Sequence, residues 1–236
     1  MGYKLNGWNS LVDLFLKAEC PLCQRPASTA SSQDCLCQDC ERQLYRCRLP
    51  QPSKFWQPPL PVLAWGEYGG TLKRSLAALK YHNQPQVARL LGRYLAEAWL
   101  DSPAIARSLQ PLVVVPIPLH ASKQKQRGYN QAELITRAFC DRSRLPMAHG
   151  LRRDRATEAQ FGLTPEARQQ NLADAFCVDQ RFSKRELSRT ETSRTVLLVD
   201  DIYTTGTTAR SAVQVLRQSG ISVGGILAVA KAVQNV

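Results

Sequence analysis

Short unbroken apolar runs alternate along this chain with stretches in which apolar residues return every third or fourth position. Val196 to Val199 and Leu112 to Val115 are runs of the first kind, the pattern of parallel strands covered on both faces. Leu72, Leu76 and Leu79 predict one helix, and Val87, Leu90, Leu91, Tyr94, Leu95 and Ala98 a longer one. Ala132, Ile135 and Phe139 predict a third, and Ala209, Val213 and Leu216 a fourth. Val62 to Tyr68 reads as an edge strand ending at the Gly69-Gly70 turn. The alternation predicts an α/β protein with a parallel sheet flanked by helices.

The breaks in the pattern are informative too. Pro50, Pro52, Pro58, Pro59 and Pro61 punctuate a linker that cannot be helix or central strand. The linker separates a small module, residues 1–52, from a larger domain, residues 60–236. At the N-terminus Trp8, Leu11, Val12, Leu14, Phe15 and Leu16 predict a short amphipathic helix, which Asp13 and Lys17 prevent from being a signal peptide. No apolar run approaches the ~20 residues of a membrane span, and a cytoplasmic protein is expected. Leu112 to Val115 runs into Pro116-Ile117-Pro118 and then a cationic loop with Lys123, Lys125 and Arg127. The polar, basic stretch from Leu151 to Phe176, with Arg152, Arg153, Arg155 and Arg168, reads as a lid between core elements, or as a segment that only packs on the surface. Asp179 to Arg194 reads as an exposed loop.

Composition adds a partner class. The chain of 236 residues carries 31 basic and 19 acidic side chains, a net charge of +12. Such a balance favours a polyanion, with nucleic acid the natural candidate, although it serves equally for solvation or for the phosphates of a small ligand. Lys73, Arg74, Lys80, Arg89 and Arg93 fall on polar helix faces, where solvated cations are the simplest account.

Six of the eight cysteines lie between Cys20 and Cys47. Cys20-Pro-Leu-Cys23 and Cys37-Gln-Asp-Cys40 are two CxxC knuckles, whose four thiolates suit tetrahedral zinc. Disulfides are disfavoured in a reducing compartment, and a redox CxxC belongs in a βαβ unit. Cys35 can replace Cys37, and Cys47 can replace either member of the second pair or be a free thiol. Four thiolates leave no open coordination position, so the zinc is structural and stabilises a module too small to fold alone. Cys140 and Cys177 fall in apolar patterns and read as buried, inert thiols.

The densest chemistry is in Thr195 to Thr208, TVLLVDDIYTTGTT. A buried strand delivers Asp200 and Asp201 to its carboxyl end, where open α/β sheets bind ligands. Thr204, Thr205, Gly206, Thr207 and Thr208 then open a helix and can wrap a phosphate with backbone N–H groups and hydroxyls. Gly206 permits the bend, and the carboxylates accept bonds from vicinal ribose hydroxyls or help hold Mg²⁺. An N-capped helix after solvated aspartates explains one Asp or Thr but not the whole string.

This string resembles the phosphoribosyl pyrophosphate (PRPP) motif of type I phosphoribosyltransferases. With the paired CxxC knuckles, Leu79-Lys80-Tyr81, Val115-Pro116-Ile117-Pro118, Arg127-Gly128-Tyr129-Asn130-Gln131, Arg155-x-Thr157-x-x-Gln160 and Arg168-x-x-Asn171, nearly the whole chain is similar to the ComF family. The resemblance implies a type I phosphoribosyltransferase-like domain behind a zinc module. It also implies a role in natural transformation, with single-stranded DNA and a competence helicase or other uptake machinery as partners. Asp200 and Asp201 are then the catalytic and ribose-facing residues, Thr204 to Thr208 hold the 5-phosphate, Arg127 assists, and Mg²⁺ accompanies PRPP. Tyr129 departs from the usual phenylalanine.

Turnover does not follow from these residues. Purine-salvage relatives place an aspartate where this chain has Thr204, and threonine is no general base near neutral pH. An active phosphoribosyltransferase with an unknown acceptor therefore stands as an alternative. A zinc-bearing nucleic-acid adaptor with a relic PRPP site is another, against which the Asp200-Asp201 pair counts, since carboxylates repel a phosphodiester unless a cation intervenes.

Overall fold

The computed structural model describes residues 19–27, 35–109, 111–154, 175–187 and 194–232. The predicted N-terminal helix lies outside them, as does most of the 151–176 segment, with Arg155, Thr157, Gln160, Arg168 and Asn171. No helix among the described residues is long and apolar enough to cross a membrane.

The core is a four-stranded, wholly parallel sheet in the order β1-β6-β5-β2. Its strands are β1 (Val62–Glu67), β2 (Leu112–Pro116), β5 (Thr195–Tyr203) and β6 (Val223–Lys231). Side chains alternate between two apolar layers. Leu197 and Val199 join one with Leu63, Trp65, Val114 and Leu227, while Val196 and Leu198 join the other with Val62, Val113, Val115 and Ile226. Burial on both faces is why these strands read as continuous apolar runs rather than alternating ones.

Helices α2 (Gly70–Tyr81), α3 (Gln86–Leu100) and α6 (Gln131–Ser143) cover the first layer, and α8 (Thr207–Gln218) covers the second. These four match the predicted periodicities. The α3–α6 contact is close because Gly92 has no side chain: a Cβ there would lie 2.5 Å from the Ile135 carbonyl oxygen. A short α4 (Pro103–Ser108) follows α3.

Three segments differ from expectation. Strand β6, for which the apolar spacing gives no prediction beyond Leu216, lies in the sheet interior between β1 and β5. Its Gly225 accommodates the indole of Trp56, whose ring would sit 2.6 Å from a Cβ there. The cationic loop after Pro118 is instead a helix, α5 (Ala121–Arg127), capped by the His120 side chain and ended by Gly128 at φ 84°. The loop predicted from Asp179 contains α7 (Gln180–Leu187). Asp179 Oδ1 accepts from the Arg181 and Phe182 amides at 2.9 and 3.2 Å, and Phe182 is buried in the second layer. An acidic N-cap followed by one buried aromatic was the available signal, outweighed by the polar composition around it.

Strands β3 (Leu151–Arg153) and β4 (Phe176–Val178) form a separate antiparallel pair at the two ends of the predicted lid segment. The predicted edge position of β1 is observed.

The cysteine module packs on the sheet domain. Its helix, α1 (Gln38–Tyr45), places buried Leu44 in the first layer, and Glu41 accepts a 2.9 Å hydrogen bond from the Tyr94 hydroxyl. Tyr45 meets Trp65 and Tyr94 edge-on, and Trp65 stacks on Tyr94 at 4.9 Å between centroids.

Candidate functional site

The cleft forms where three elements end together. Strand β5 carries Asp200 and Asp201 past the buried run, the end of α2 brings Lys80, and the turn after β2 brings Ile117, Pro118 and Leu119. These residues, with Tyr68, Gln131, Arg153, Ile202, Thr204 and Thr208, line a hollow of about 290 Å³. A cup of about 90 Å³ adjoins it, formed by Asp200 and the loop from Ile202 to Ala209, so Asp200, Thr204 and Thr208 border both.

The loop is held open by its own geometry. Gly206 has φ 74°, a left-handed conformation, and a Cβ there would run into the Tyr203 hydroxyl. Arg210 donates to the Thr205 carbonyl at 2.8 Å, and the Thr205 and Thr207 hydroxyls are 2.8 Å apart. No side chain caps the start of α8. Its first N–H groups are therefore left for an acceptor, and an anion suits them by hydrogen bonding and by the helix dipole.

The two carboxylates differ. Asp201 is buried, and Lys80 Nζ lies 2.5 Å from its Oδ2. Asp200 accepts from the Asp201 amide at 2.8 Å and borders the cleft. Desolvation, then the charge of Asp201, push its carboxyl well above the ordinary value, which the Lys80 charge only partly opposes. Burial lowers the Arg153 guanidinium, which stands 5.3 Å from the Phe176 ring and feels the charge of Asp200. Desolvated carboxylate beside cationic side chains suits a ligand that carries both hydroxyls and phosphates, or a metal ion with a phosphate ligand.

The turn that shapes the cleft is built by the Arg127 to Gln131 string. Gly128 ends α5, and Asn130 caps α6 by accepting from the Ala132 amide while donating to the Ile117 carbonyl at 3.1 Å. The Tyr129 hydroxyl donates to the Leu79 carbonyl, tying this turn to the helix end that carries Lys80. Arg127 itself does not line the cleft. It donates to Gln131 Oε1, which does, and stands 5.8 Å from the ring of exposed Tyr81.

In the cysteine module, the sulfurs of Cys20, Cys23, Cys37 and Cys40 all lie within 4.8 Å of one another. The Cys20 carbonyl accepts from the Cys23 and Gln24 amides, closing the first knuckle. Metal–sulfur bonds of about 2.3 Å in a tetrahedron place sulfurs about 3.8 Å apart, and Cys23 and Cys37 are 3.5 Å apart. The four cysteines could hold a metal ion such as zinc. A backbone N–H, that of Arg25, is the largest influence lowering the Cys23 thiol to about 6, while burial pushes Cys40 upward.

No family model matches the chain. Competence protein F of Haemophilus influenzae is 33% identical over 157 residues, 66% of this chain and 66% of that protein. DNA utilization protein YhgH of Escherichia coli K12 is 26% identical over 204 residues, 85% of each chain. Competence protein ComFC of Bacillus subtilis is 25% identical over 204 residues, 85% of this chain and 72% of that one. The chain belongs to the ComF family. Among solved structures, the allosteric regulatory enzyme of purine biosynthesis overlays with a TM-score of 0.36 at 20% identity, over 60% of this chain and 25% of that one.

In this ComF-family chain the cleft is lined by Asp200, Asp201, Thr204 and Thr208, and the adjoining cup adds Thr205, Gly206 and Thr207. Lys80, Arg153, Gln131 and Tyr68 join them, and Lys80, expected to be a solvated cation on a helix face, is instead largely buried and paired with Asp201. Lys80 and Gln131 stood in the motifs that carry the ComF resemblance, and Arg153 in the polar stretch. Cys35 and Cys47, the alternative ligands, stay outside the cluster: burial pushes Cys35 to about 11, and the Cys47 sulfur lies against the Gln43 and Gly69 carbonyls. Cys140 and Cys177 are half-buried rather than core residues. Burial pushes Cys140 to about 12, and Cys177 donates to Asp154 at 2.9 Å.

Proposed function

We propose that this ComF-family chain acts in natural transformation, handling imported single-stranded DNA in the cytoplasm beside a competence helicase or other uptake machinery. Its larger domain, residues 60–236, is phosphoribosyltransferase-like and binds PRPP or a related ribose phosphate with Mg²⁺. Residues 1–52 form a zinc module with Cys20, Cys23, Cys37 and Cys40 as ligands.

One observation carries the ligand reading: Asp200 borders both the threonine-lined cup and the cleft that contains Asp201 and Lys80. A 5-phosphate in the cup leaves the ribose hydroxyls facing the carboxylates, and Lys80 and Arg153 are at hand for a pyrophosphate, with Arg127 acting through Gln131. Mg²⁺, when bound, neutralises pyrophosphate charge. The competence and DNA-utilization names belong to the relatives and support the DNA-handling part of the reading. Those two cations, poised to stabilise a leaving pyrophosphate, favour a second reading, an active phosphoribosyltransferase with an unidentified acceptor. Turnover would appear as pyrophosphate release that depends on an added acceptor.

The test is calorimetric titration of PRPP with Mg²⁺ into the wild type and into the Asp200→Asn, Asp201→Asn double variant. Heat in the wild type that vanishes in the variant is the expected result, and a wild type that binds nothing sinks the ligand assignment.

A further inference from the structure

Helices α3 and α6 frame a second hollow that shares no lining residue with the cleft. Beside their close contact at Gly92 lies a groove of about 780 Å³, with Arg89 and Arg93 on one wall and Arg137, Asp141 and Arg142 on the other. A neighbouring hollow of about 540 Å³ shares Arg137 and Asp141 and adds Arg144. Arg137 pairs with Glu133 at 2.6 Å, and Asp141 is the one carboxylate in the lining. Neither the cleft nor the cysteine cluster uses these residues.

Gathering like charges in one groove is unfavourable. Four arginines, Arg89, Arg93, Arg137 and Arg142, share the lining with one carboxylate, Asp141, which makes the groove net positive. A polyanion relieves that repulsion, and arginine's planar fork matches phosphate with two parallel hydrogen bonds. The remaining lining, Pro85, Gln86, Ala88, Leu134 and Ala138, contains no aromatic ring. Bases would find nothing to stack on, so contact falls on the sugar-phosphate backbone and is indifferent to sequence. The chain's net charge of +12 would steer such a strand toward the groove.

We infer that the α3–α6 groove is the nucleic-acid surface of this chain, gripping the sugar-phosphate backbone without reading bases. This rests on the DNA-handling part of the proposed function, not on the ribose-phosphate site.

Fluorescence anisotropy with the full chain and a labelled mixed-sequence oligodeoxynucleotide, single-stranded or annealed to its complement, tests it over a salt series. Relative to wild type, the Arg89→Glu, Arg142→Glu variant should bind the single strand at least about tenfold more weakly, with a salt slope shallower by about 1.4 for two lost phosphate contacts. Its circular dichroism and its PRPP titration should be unchanged, which separates a lost surface from a lost fold. The single-stranded and annealed arms identify which form supplies the backbone. Wild-type affinity and slope in the variant would overturn the inference alone. A wild type that binds Mg²⁺-PRPP but no oligonucleotide would overturn the DNA-handling reading and the inference with it. Displacement of the oligonucleotide by an equal charge of polyglutamate would make the groove a general acidic-polymer site and overturn the assignment to nucleic acid.

Discussion

Lys80 Nζ lies 2.5 Å from Asp201 Oδ2, and the two side chains are only 17% and 6% exposed. A helix end and a strand end are thereby joined across the mouth of the cleft. The pair also orders the charges: Asp201 has its own cation, and Asp200 is the carboxylate left at the rim.

Removing one partner should therefore damage stability as well as binding. Lys80→Met leaves Asp201 buried without its counter-charge and is expected to lower unfolding free energy by about 3–5 kcal/mol. Adding Asp201→Asn should recover part of the loss, because the uncompensated charge is gone. Urea unfolding of the two single variants and the double variant measures the coupling, and strictly additive losses would deny the pair any role.

Gly206 turns the loop from Ile202 to Ala209 through a left-handed conformation. Gly206→Ala forces a left-handed residue and a contact with the Tyr203 hydroxyl. A stability loss of about 1–2 kcal/mol is expected from the conformation alone. PRPP binding should be lost as the loop shifts. Retained binding heat in a folded Gly206→Ala protein would show that the cup is not the anion site.

The raised Asp200 carboxyl has a pH signature of defined sign. An acid whose folded pKa lies above its unfolded value of about 4 holds its proton longer in the folded state. The folded protein then binds more protons than the unfolded one, so stability should decline as pH rises from about 4 toward the folded pKa, and Asp200→Asn should flatten that decline. Mg²⁺ needs the carboxylate, so its affinity should increase over the same rise. Denaturation midpoints across pH for wild type and variant, with and without Mg²⁺, check both directions.

Metal loss should be felt beyond the cysteine module. Helix α1 rests on Trp65 and Tyr94 through Tyr45, and Glu41 is bonded to Tyr94. Chelation should thus change tryptophan fluorescence and lower the melting temperature of the whole chain, not only unfold residues 20 to 47. Metal analysis should find zinc in Cys35→Ser and Cys47→Ser protein and little in Cys23→Ser. Full zinc content in the last variant would refute the four-cysteine site.

What was readable from sequence was what neighbours along the chain enforce. Two-sided burial shows as Val196 to Val199 in any context, helical spacing as Leu72, Leu76 and Leu79, and the threonine-glycine loop as a contiguous string, because the cup at the start of α8 is made of consecutive residues. Even locally the reading has limits: α5 and α7 lie in charged segments, where no side chain of α5 is buried and, among the described side chains of α7, Phe182 alone is.

Tertiary structure decided everything that depends on which distant segments become neighbours. Sheet order places β6 between β1 and β5, and the end of α2 beside the end of β5, so that Lys80 meets Asp201. Among the six clustered cysteines, it is the fold of the knuckles that brings four sulfurs together and leaves Cys35 and Cys47 aside. Arg153 and Gln131 join the cleft for the same reason. Local spacing encodes the elements, whereas burial against partners far away in sequence selects one arrangement of them, and the cleft and the arginine groove exist only in that arrangement.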